Sequence, residues 1–196
     1  MEAFMKKTVL ALLIFATALG SAAAVGFDIL SYPAPLEGGN ILVDLGLGYS
    51  NWGSHSGWKM KIPPLVATAE YCLPIPVPIS VGGLFSYARY GNSYTYMGNH
   101  TWNHNYFIFA GRANWHFGFD ISWLDLYAGM NIGYRYYSVK YDGPNKGWAD
   151  DWYTSSYSGL YWGTQAGAHF YFTNFIGAVA EVGYPIYAKA GVALKF

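Results

Sequence analysis

Charge is scarce in this 196-residue chain: Asp, Glu, Lys and Arg make up 11% of it, and 11 basic residues cancel 11 acidic ones. Soluble proteins average roughly 25% charged residues, so a wholly water-facing surface would be hard to build from this composition. The zero balance also removes the electrostatic footprint that a nucleic-acid partner needs. Cysteine is nearly absent: Cys72 stands alone, which excludes an internal disulfide even in an oxidising compartment. It lies too far along the chain to be a lipoprotein anchor and reads as a small buried residue. Beyond the N-terminal region no apolar run approaches the ~20 residues that a membrane-spanning helix requires. Any membrane location must therefore be reached with strands.

The N-terminal region is a leader by its own pattern. Lys6 and Lys7 supply a positive start, Val9 to Leu19 an apolar stretch, and Ser21, Ala22, Ala23 and Ala24 a small-residue cleavage site, so residues 1–24 read as a secretory signal peptide. Residues 25–196 are then of a length that suits one domain.

What the chain has in abundance is aromatic rings, 20% of residues, and 24 glycines, and they are set in period-2 alternation. Eight segments near residues 40–50, 64–72, 79–89, 105–117, 123–137, 157–172, 175–184 and 186–196 alternate as transmembrane strands do, with turn-rich stretches between them. In the first, Ile41, Val43, Leu45, Leu47 and Tyr49 oppose Leu42, Asp44, Gly46 and Gly48. The fifth sets Leu124, Leu126, Ala128, Met130, Ile132, Tyr134 and Tyr136 against Asp125, Tyr127, Gly129, Asn131, Gly133 and Arg135. In the last, Ile186, Ala188, Ala190, Val192, Leu194 and Phe196 share one face, with Tyr187, Lys189, Gly191, Ala193 and Lys195 on the other. One phase is almost uncharged throughout; the other gathers charge, amide and glycine. A soluble ligand-binding barrel would show its polar phase to water, rich in Lys and Glu. Here the polar phase suits a narrow lumen in which small residues make room for large ones. The fold expected is all-β: an eight-stranded antiparallel up-and-down transmembrane β-barrel spanning residues 25–196.

An even strand count puts both ends of the barrel chain on one side, the periplasmic side in barrels of this kind. Leu73 to Pro78, Gly118 to Ser122 and Thr173-Asn174 then form short periplasmic turns, and residues 51–63, 90–104 and 138–156 form longer external loops, with a tight turn at Tyr184-Pro185. Residues 25–39 make a non-helical lead-in placed to enter the lumen. Trp115, Phe117, Phe119 and Trp123 mark a periplasmic aromatic girdle, and Tyr134, Tyr136 and Tyr157 an outer one, where amphipathic rings favour the headgroup region.

The inward phase holds four acids, Asp44, Glu70, Asp125 and Glu181, and four bases, Arg112, Arg135, Lys189 and Lys195. Desolvated charges are costly unless paired, so the balance points to a closed, ion-paired lumen; a gated conduit lined by the same residues is the competing reading. A hairpin turning about Pro185 places Glu181 opposite Lys189. His116 and His169 face inward as hydrogen-bonded lumen residues. Two histidines fall short of the three or four ligands that a metal site needs, and His55, His100, His104, Asp142, Asp150 and Asp151 read as loop chemistry, so no metal or other cofactor is expected. Trp52, Trp58, Lys59 and Lys61 stand where they would touch acidic lipid headgroups, and Tyr94, Thr95, Tyr96 and Trp102 resemble a contact surface.

Signal peptide, eight alternating segments and the terminal Ala190-Gly191-Val192-Ala193-Leu194-Lys195-Phe196 together resemble the small eight-stranded outer-membrane barrels typified by the OmpA transmembrane domain, OmpX and OmpW. The resemblance implies an outer-membrane location, lipopolysaccharide-type headgroups around the rim, and a terminal Phe196 read by the barrel assembly machinery. Some barrels of this size are acyltransferases or deacylases on lipid A, but Ser and His do not meet on the outward phase here, and Ser54-His55 is a weak match, so no enzyme is expected. Two functions follow: a cell-surface barrel whose loops serve envelope integrity or bind an extracellular ligand in adhesion, or an OmpW-like narrow channel for small hydrophobic compounds.

Overall fold

The computed structural model describes residues 27–50, 58–95, 99–143 and 155–196; the leader at 1–24, Trp52, Ser54-His55, Tyr96, Asp150 and Asp151 lie outside the described residues. A two-residue strand β1 (Phe27–Asp28) precedes eight long ones: β2 (Ile41–Ser50), β3 (Lys59–Cys72), β4 (Ile79–Thr95), β5 (Asn99–Phe119), β6 (Leu124–Asp142), β7 (Ser155–Tyr171), β8 (Ile176–Tyr184) and β9 (Ile186–Lys195). Strands β2 to β9 run in order around a closed antiparallel barrel, each pairing with its neighbours in sequence and β2 closing on β9. The architecture is that of an up-and-down eight-stranded barrel.

The alternation decides which face goes where. Leu45 and Leu47 are 55% and 57% exposed while Asp44 between Val43 and Leu45 is 2% exposed. The same division runs along β6, where Met130, Ile132 and Tyr134 are exposed and Asp125, Tyr127 and Asn131 buried. An outside of Leu, Ile, Val, Phe and Met around an inside of Asp, Glu, Arg and Asn inverts a soluble barrel and suits hydrocarbon outside.

One register change re-aims a pair of residues. The β2–β9 ladder shifts between Tyr49 and Ser50, so that Tyr49 pairs with Ala188 and Ser50 with Ile186. The extra residue of this bulge turns Ile186 into the lumen, against the layer formed by Val66, Leu84, Ile108 and Tyr161. It also sets the Tyr187 ring beside that of the outward Tyr49, with centroids 6.5 Å apart. Simple alternation had put Ile186 outside and Tyr187 inside; a bulge exchanges them.

The strands also run further than alternation of apolar residues reveals. Residues 59–63, 90–95, 99–104 and 138–142, expected in external loops, are strand. The outward phase turns polar here at one row: Arg89 pairs with Asn105, Asn105 with Ser138 and Ser138 with Ser156, directly beyond the row Tyr87, Phe107 and Tyr136. Rings in one row and hydrogen-bonding groups in the next mark the edge of the hydrocarbon layer. Backbone pairing continues past that edge because strand geometry needs no lipid, only a partner.

The rim is consequently uneven. Strands β4 to β7 stay paired up to Thr95 with Asn99, Thr101 with Asp142 and Val139 with Ser155, whereas β2 stops at Ser50 and the β8–β9 hairpin turns at Pro185. A tall curved wall stands over a low front.

At the opposite, terminal end the lead-in closes the floor. Backbone pairing of Phe27 with Phe119 and Asp28 with Gly118 holds β1 on the overhanging end of β5, and the Ala34 amide donates to the Phe119 carbonyl. The Tyr32 hydroxyl lies 2.7 Å from the Ile79 carbonyl and 3.0 Å from that of Leu73; burial pushes its pKa up to about 12, so it remains a donor. Leu36 packs with Leu42, Cys72 and Tyr171, which gives Cys72 its completely buried place.

Leu45 is the middle of five outward residues on β2, at the depth where a cation on the lipid face is most expensive. Leu45→Arg should cost about 2–4 kcal/mol of folding stability in phospholipid vesicles, read from urea titrations of Trp fluorescence; a neutral substitution would mean that this face does not meet hydrocarbon.

Candidate functional site

Across the lumen, above the floor, nine side chains close into one hydrogen-bonded ring to which every barrel strand contributes. Arg112 of β5 is clamped by Glu70 of β3, with Nε 2.6 Å from Oε1, and by Glu181 of β8, with Nη2 2.5 Å from Oε2. Lys189 of β9 lies 3.2 Å from Glu181 and 3.1 Å from Asp44 of β2. From Asp44 the ring passes to His169 Nε2 of β7 at 3.1 Å, from His169 Nδ1 to Asp125 of β6 at 2.7 Å, and from Asp125 to His116 Nδ1 at 2.8 Å. His116 Nε2 meets the Ser80 hydroxyl of β4 at 2.9 Å, and Ser80 donates back to Glu70 at 2.5 Å.

The donor inventory of this ring is consistent around its circumference. As carboxylates, Asp44 and Asp125 only accept, so both ring nitrogens of His169 donate. Ser80 has one hydroxyl proton, which goes to Glu70, and its oxygen accepts from His116. Four acids thus face four donor groups, Arg112, Lys189, His116 and His169. Branches complete the acids: Tyr127 donates to Glu181 at 2.8 Å, Thr68 to Asp44 at 3.1 Å, and Asn114 to Glu70 at 2.7 Å. Beyond Asn114 a chain of amides continues through Gln165 to Asn131.

Room for this comes from glycine. A Cβ on Gly167 would stand 2.5 Å from the Tyr127 hydroxyl, so the absent side chain on β7 is what lets the Tyr127 ring lie between Arg112, 5.6 Å from its centroid, and His169, stacked at 4.8 Å.

The expected lumen set divides. Asp44, Glu70, Arg112, Asp125, Glu181 and Lys189 meet in the ring, and Glu181 pairs directly with Lys189 across the last hairpin. Lys195 does not join them: its ammonium donates to the Pro35 carbonyl at 2.6 Å and lies over the Tyr171 ring, because it sits one layer lower, where the lead-in crosses. Arg135 does not join either. It lies on the inward phase of β6 four residues past Asn131, paired with Ile108 and Gly159, on the far side of an apolar layer of Val66, Leu84, Ile108 and Tyr161. Ser80, His116 and His169 complete the circle; inward parity was their only signal.

The girdles divide as well. Trp115 is held outward by its indole N–H on the Ile29 carbonyl at 3.0 Å; Phe117 and Phe119 share its phase, and Trp123 is exposed at the start of β6. Tyr134 and Tyr136 face outward. Tyr157 has the parity of Tyr161 and Tyr171 and pairs with the inward Tyr137, so it belongs to the mouth, not to the outer girdle. The outer ring is completed by Tyr87 and Phe107, whose centroids are 4.8 Å apart, and by Trp162 with Tyr184 at 5.4 Å. Phe196 is tied by its backbone amide and carbonyl to Ile41, with its ring exposed.

Above the apolar layer the mouth is aromatic. Ala88, Tyr90 and Tyr106 pack with Trp58 and Tyr137, Trp58 stacks on His104 at 3.7 Å, and His104 and His100 hydrogen-bond to Tyr137 and Tyr141. These residues line the concave face of the tall wall; Arg89, Asn103, Ser138 and Lys140 stand on its convex face.

No protein-family model matches the chain, and no curated protein sequence matches it. Solved structures do. Ail, the attachment invasion locus protein of Yersinia pestis, crystallised with the heparin analogue sucrose octasulfate, superposes with a TM-score of 0.53 at 14% identity, covering 81% of this chain and 99% of Ail. The N-terminal barrel of Pseudomonas aeruginosa OprF aligns with a TM-score of 0.43 at 15% identity over 82% of this chain and all of its own. The likeness to Ail is one of fold, and the fold is that of the small eight-stranded outer-membrane barrels.

Removing one partner from a buried ion pair strands the other in a medium that solvates it poorly. Arg112→Met should destabilise the barrel by about 3–5 kcal/mol by leaving Glu70 and Glu181 facing each other. The triple variant Glu70→Gln, Arg112→Met, Glu181→Gln should recover much of that loss in the same unfolding titration.

Proposed function

We propose that the protein is an integral barrel of the outer membrane that presents its tall wall to the exterior to bind an extracellular ligand in adhesion. The observation that carries this reading is the unequal rim. Four paired strands rise beyond the aromatic row at Tyr87, Phe107 and Tyr136, with a polar convex face and an aromatic concave one. Ordered strands hold a contact surface in place before binding and so reduce the ordering cost of association. A wall that served only to span the membrane would have no use for this length.

Support for a non-conducting lumen comes from its layers: the lead-in floor, the ring, and the apolar layer of Val66, Leu84, Ile108 and Tyr161. A conduit for small hydrophobic compounds needs a continuous apolar path, and the ring interposes ionic groups from seven strands and the Ser80 hydroxyl from the eighth. Around the rim, Lys59 and Lys61, both exposed at the outer end of β3, are suited to the phosphates of lipopolysaccharide-type headgroups. The exposed Phe196 ring at the end of the closing strand fits recognition by the barrel assembly machinery. Ail was crystallised with a sulfated heparin analogue; with Arg89 and Lys140 on the convex face, a sulfated glycan is the first ligand to test here.

Cells displaying the protein should adhere to a heparin-coated surface, and a variant with residues 93–101 replaced by a two-residue Asn-Gly turn should adhere no better than cells lacking the protein, at equal surface display. Equal adhesion by the trimmed variant, or none by the parent, would remove the adhesive reading. Stable single-channel currents in planar bilayers would shift it to the conduit.

A further inference from the structure

At the terminal end of the barrel a cleft of about 360 Å³ opens between the lead-in, the β5–β6 and β7–β8 turns and the end of β9. Small-molecule sites begin at about 300 Å³. Two opposite charges line this cleft, Lys195 and Glu37, each within electrostatic reach of the other. They are not in contact. Among the described residues the Lys195 ammonium makes a single hydrogen bond, to the Pro35 carbonyl at 2.6 Å, and lies over the Tyr171 ring, 5.0 Å from its centroid. The lumen acids are engaged one layer above, in the ring.

Glu37 is exposed, and its backbone holds it in place. Its amide donates to the Asn40 side-chain oxygen at 2.9 Å, and its carbonyl accepts from the Asn40 amide at 3.2 Å. Gly39, at φ 104°, lets the chain make this turn. On the opposite lip stand Thr173, Asn174 and Ser122. The Thr173 hydroxyl oxygen accepts from the amides of Phe175 and Ile176 at 3.3 and 3.1 Å, which leaves its proton to donate into the cleft.

An ammonium has three donors, so a neutral carbonyl alone leaves Lys195 undersatisfied, and a carboxylate is the acceptor that forms its stronger, charge-assisted bonds. A plain anion entering here would be repelled by Glu37. A cation and an anion held apart across one polar cleft are matched by a ligand that carries both charges in the reverse order.

We propose that this cleft binds the head group of a free α-amino acid, its carboxylate on Lys195 and the Thr173 hydroxyl, its ammonium on Glu37. The site is independent of the adhesive wall, which stands at the other end of the barrel.

Alanine titrated into the isotope-labelled, folded protein in detergent micelles should move the amide resonances of Glu37, Asn40 and Asn174 saturably. Propionate lacks the ammonium and alaninamide the carboxylate; each should bind about tenfold or more weakly. Glu37→Gln should weaken alanine binding by about the same factor without weakening propionate. Lys195→Gln, whose amide still reaches for the Pro35 carbonyl, should weaken both. The Glu37 carboxylate holds no part of the fold together, so its variant remains a fair test even if Lys195→Gln loosens the lead-in. No saturable shift with alanine, equal affinity for alanine and propionate, or undiminished alanine binding by Glu37→Gln would overturn the proposal.

Discussion

Hydrocarbon offers a backbone no hydrogen-bonding partner, so every amide and carbonyl in the spanning region must pair within the sheet, and a sheet without unpaired edges is a closed one. Closing after eight strands leaves an interior only wide enough for side chains. The inward residues therefore have nowhere to go but against each other. Once Asp44, Glu70, Asp125 and Glu181 are placed there, each must find a donor inside the cylinder, and the ring through Arg112, Lys189, His116 and His169 is the outcome. Closure of the backbone and closure of the side-chain ring are one constraint at two scales.

The ring also ties together strands that the backbone ladder links only to their neighbours. Arg112 joins β5 to β3 and β8, and His169 joins β7 to β2 and β6, so opposite walls are held at a defined separation. Apolar packing above and the lead-in below shield these pairs from water, which strengthens their electrostatics. A ring of this kind frees the outer wall from any part in tying opposite strands together. The wall can then extend past the membrane, with the polar row of Arg89, Asn105 and Ser138 standing directly beyond the aromatic row of Tyr87, Phe107 and Tyr136.

Much of this was legible from residue order because the two solvents on either side of a barrel wall impose a period of two, and a period of two is visible in sequence. Strand number, antiparallel order, the inside-outside assignment and the pairing of Glu181 with Lys189 all follow from it. The misplacements have physical reasons. Tyr157 was assigned by position near the rim, where parity was the better guide. Ile186 and Tyr187 were exchanged by a bulge, which adds a residue without leaving a mark in composition. Strand ends at 59–63, 90–95, 99–104 and 138–142 were hidden because, beyond the membrane, the outward phase no longer differs in polarity from a loop.

Residue order by itself determined that the chain closes into a cylinder with an oily exterior and an ionic interior, since that follows from local alternation and from the scarcity of charge. Only the tertiary structure decided which ionic groups meet. Height along the lumen depends on strand stagger, and stagger accumulates around the barrel over all eight pairings. Lys195 falls to the floor, Arg135 rises to the mouth, and His116 and His169 come between acids on different strands because that summed offset puts them there. No short stretch of sequence contains it.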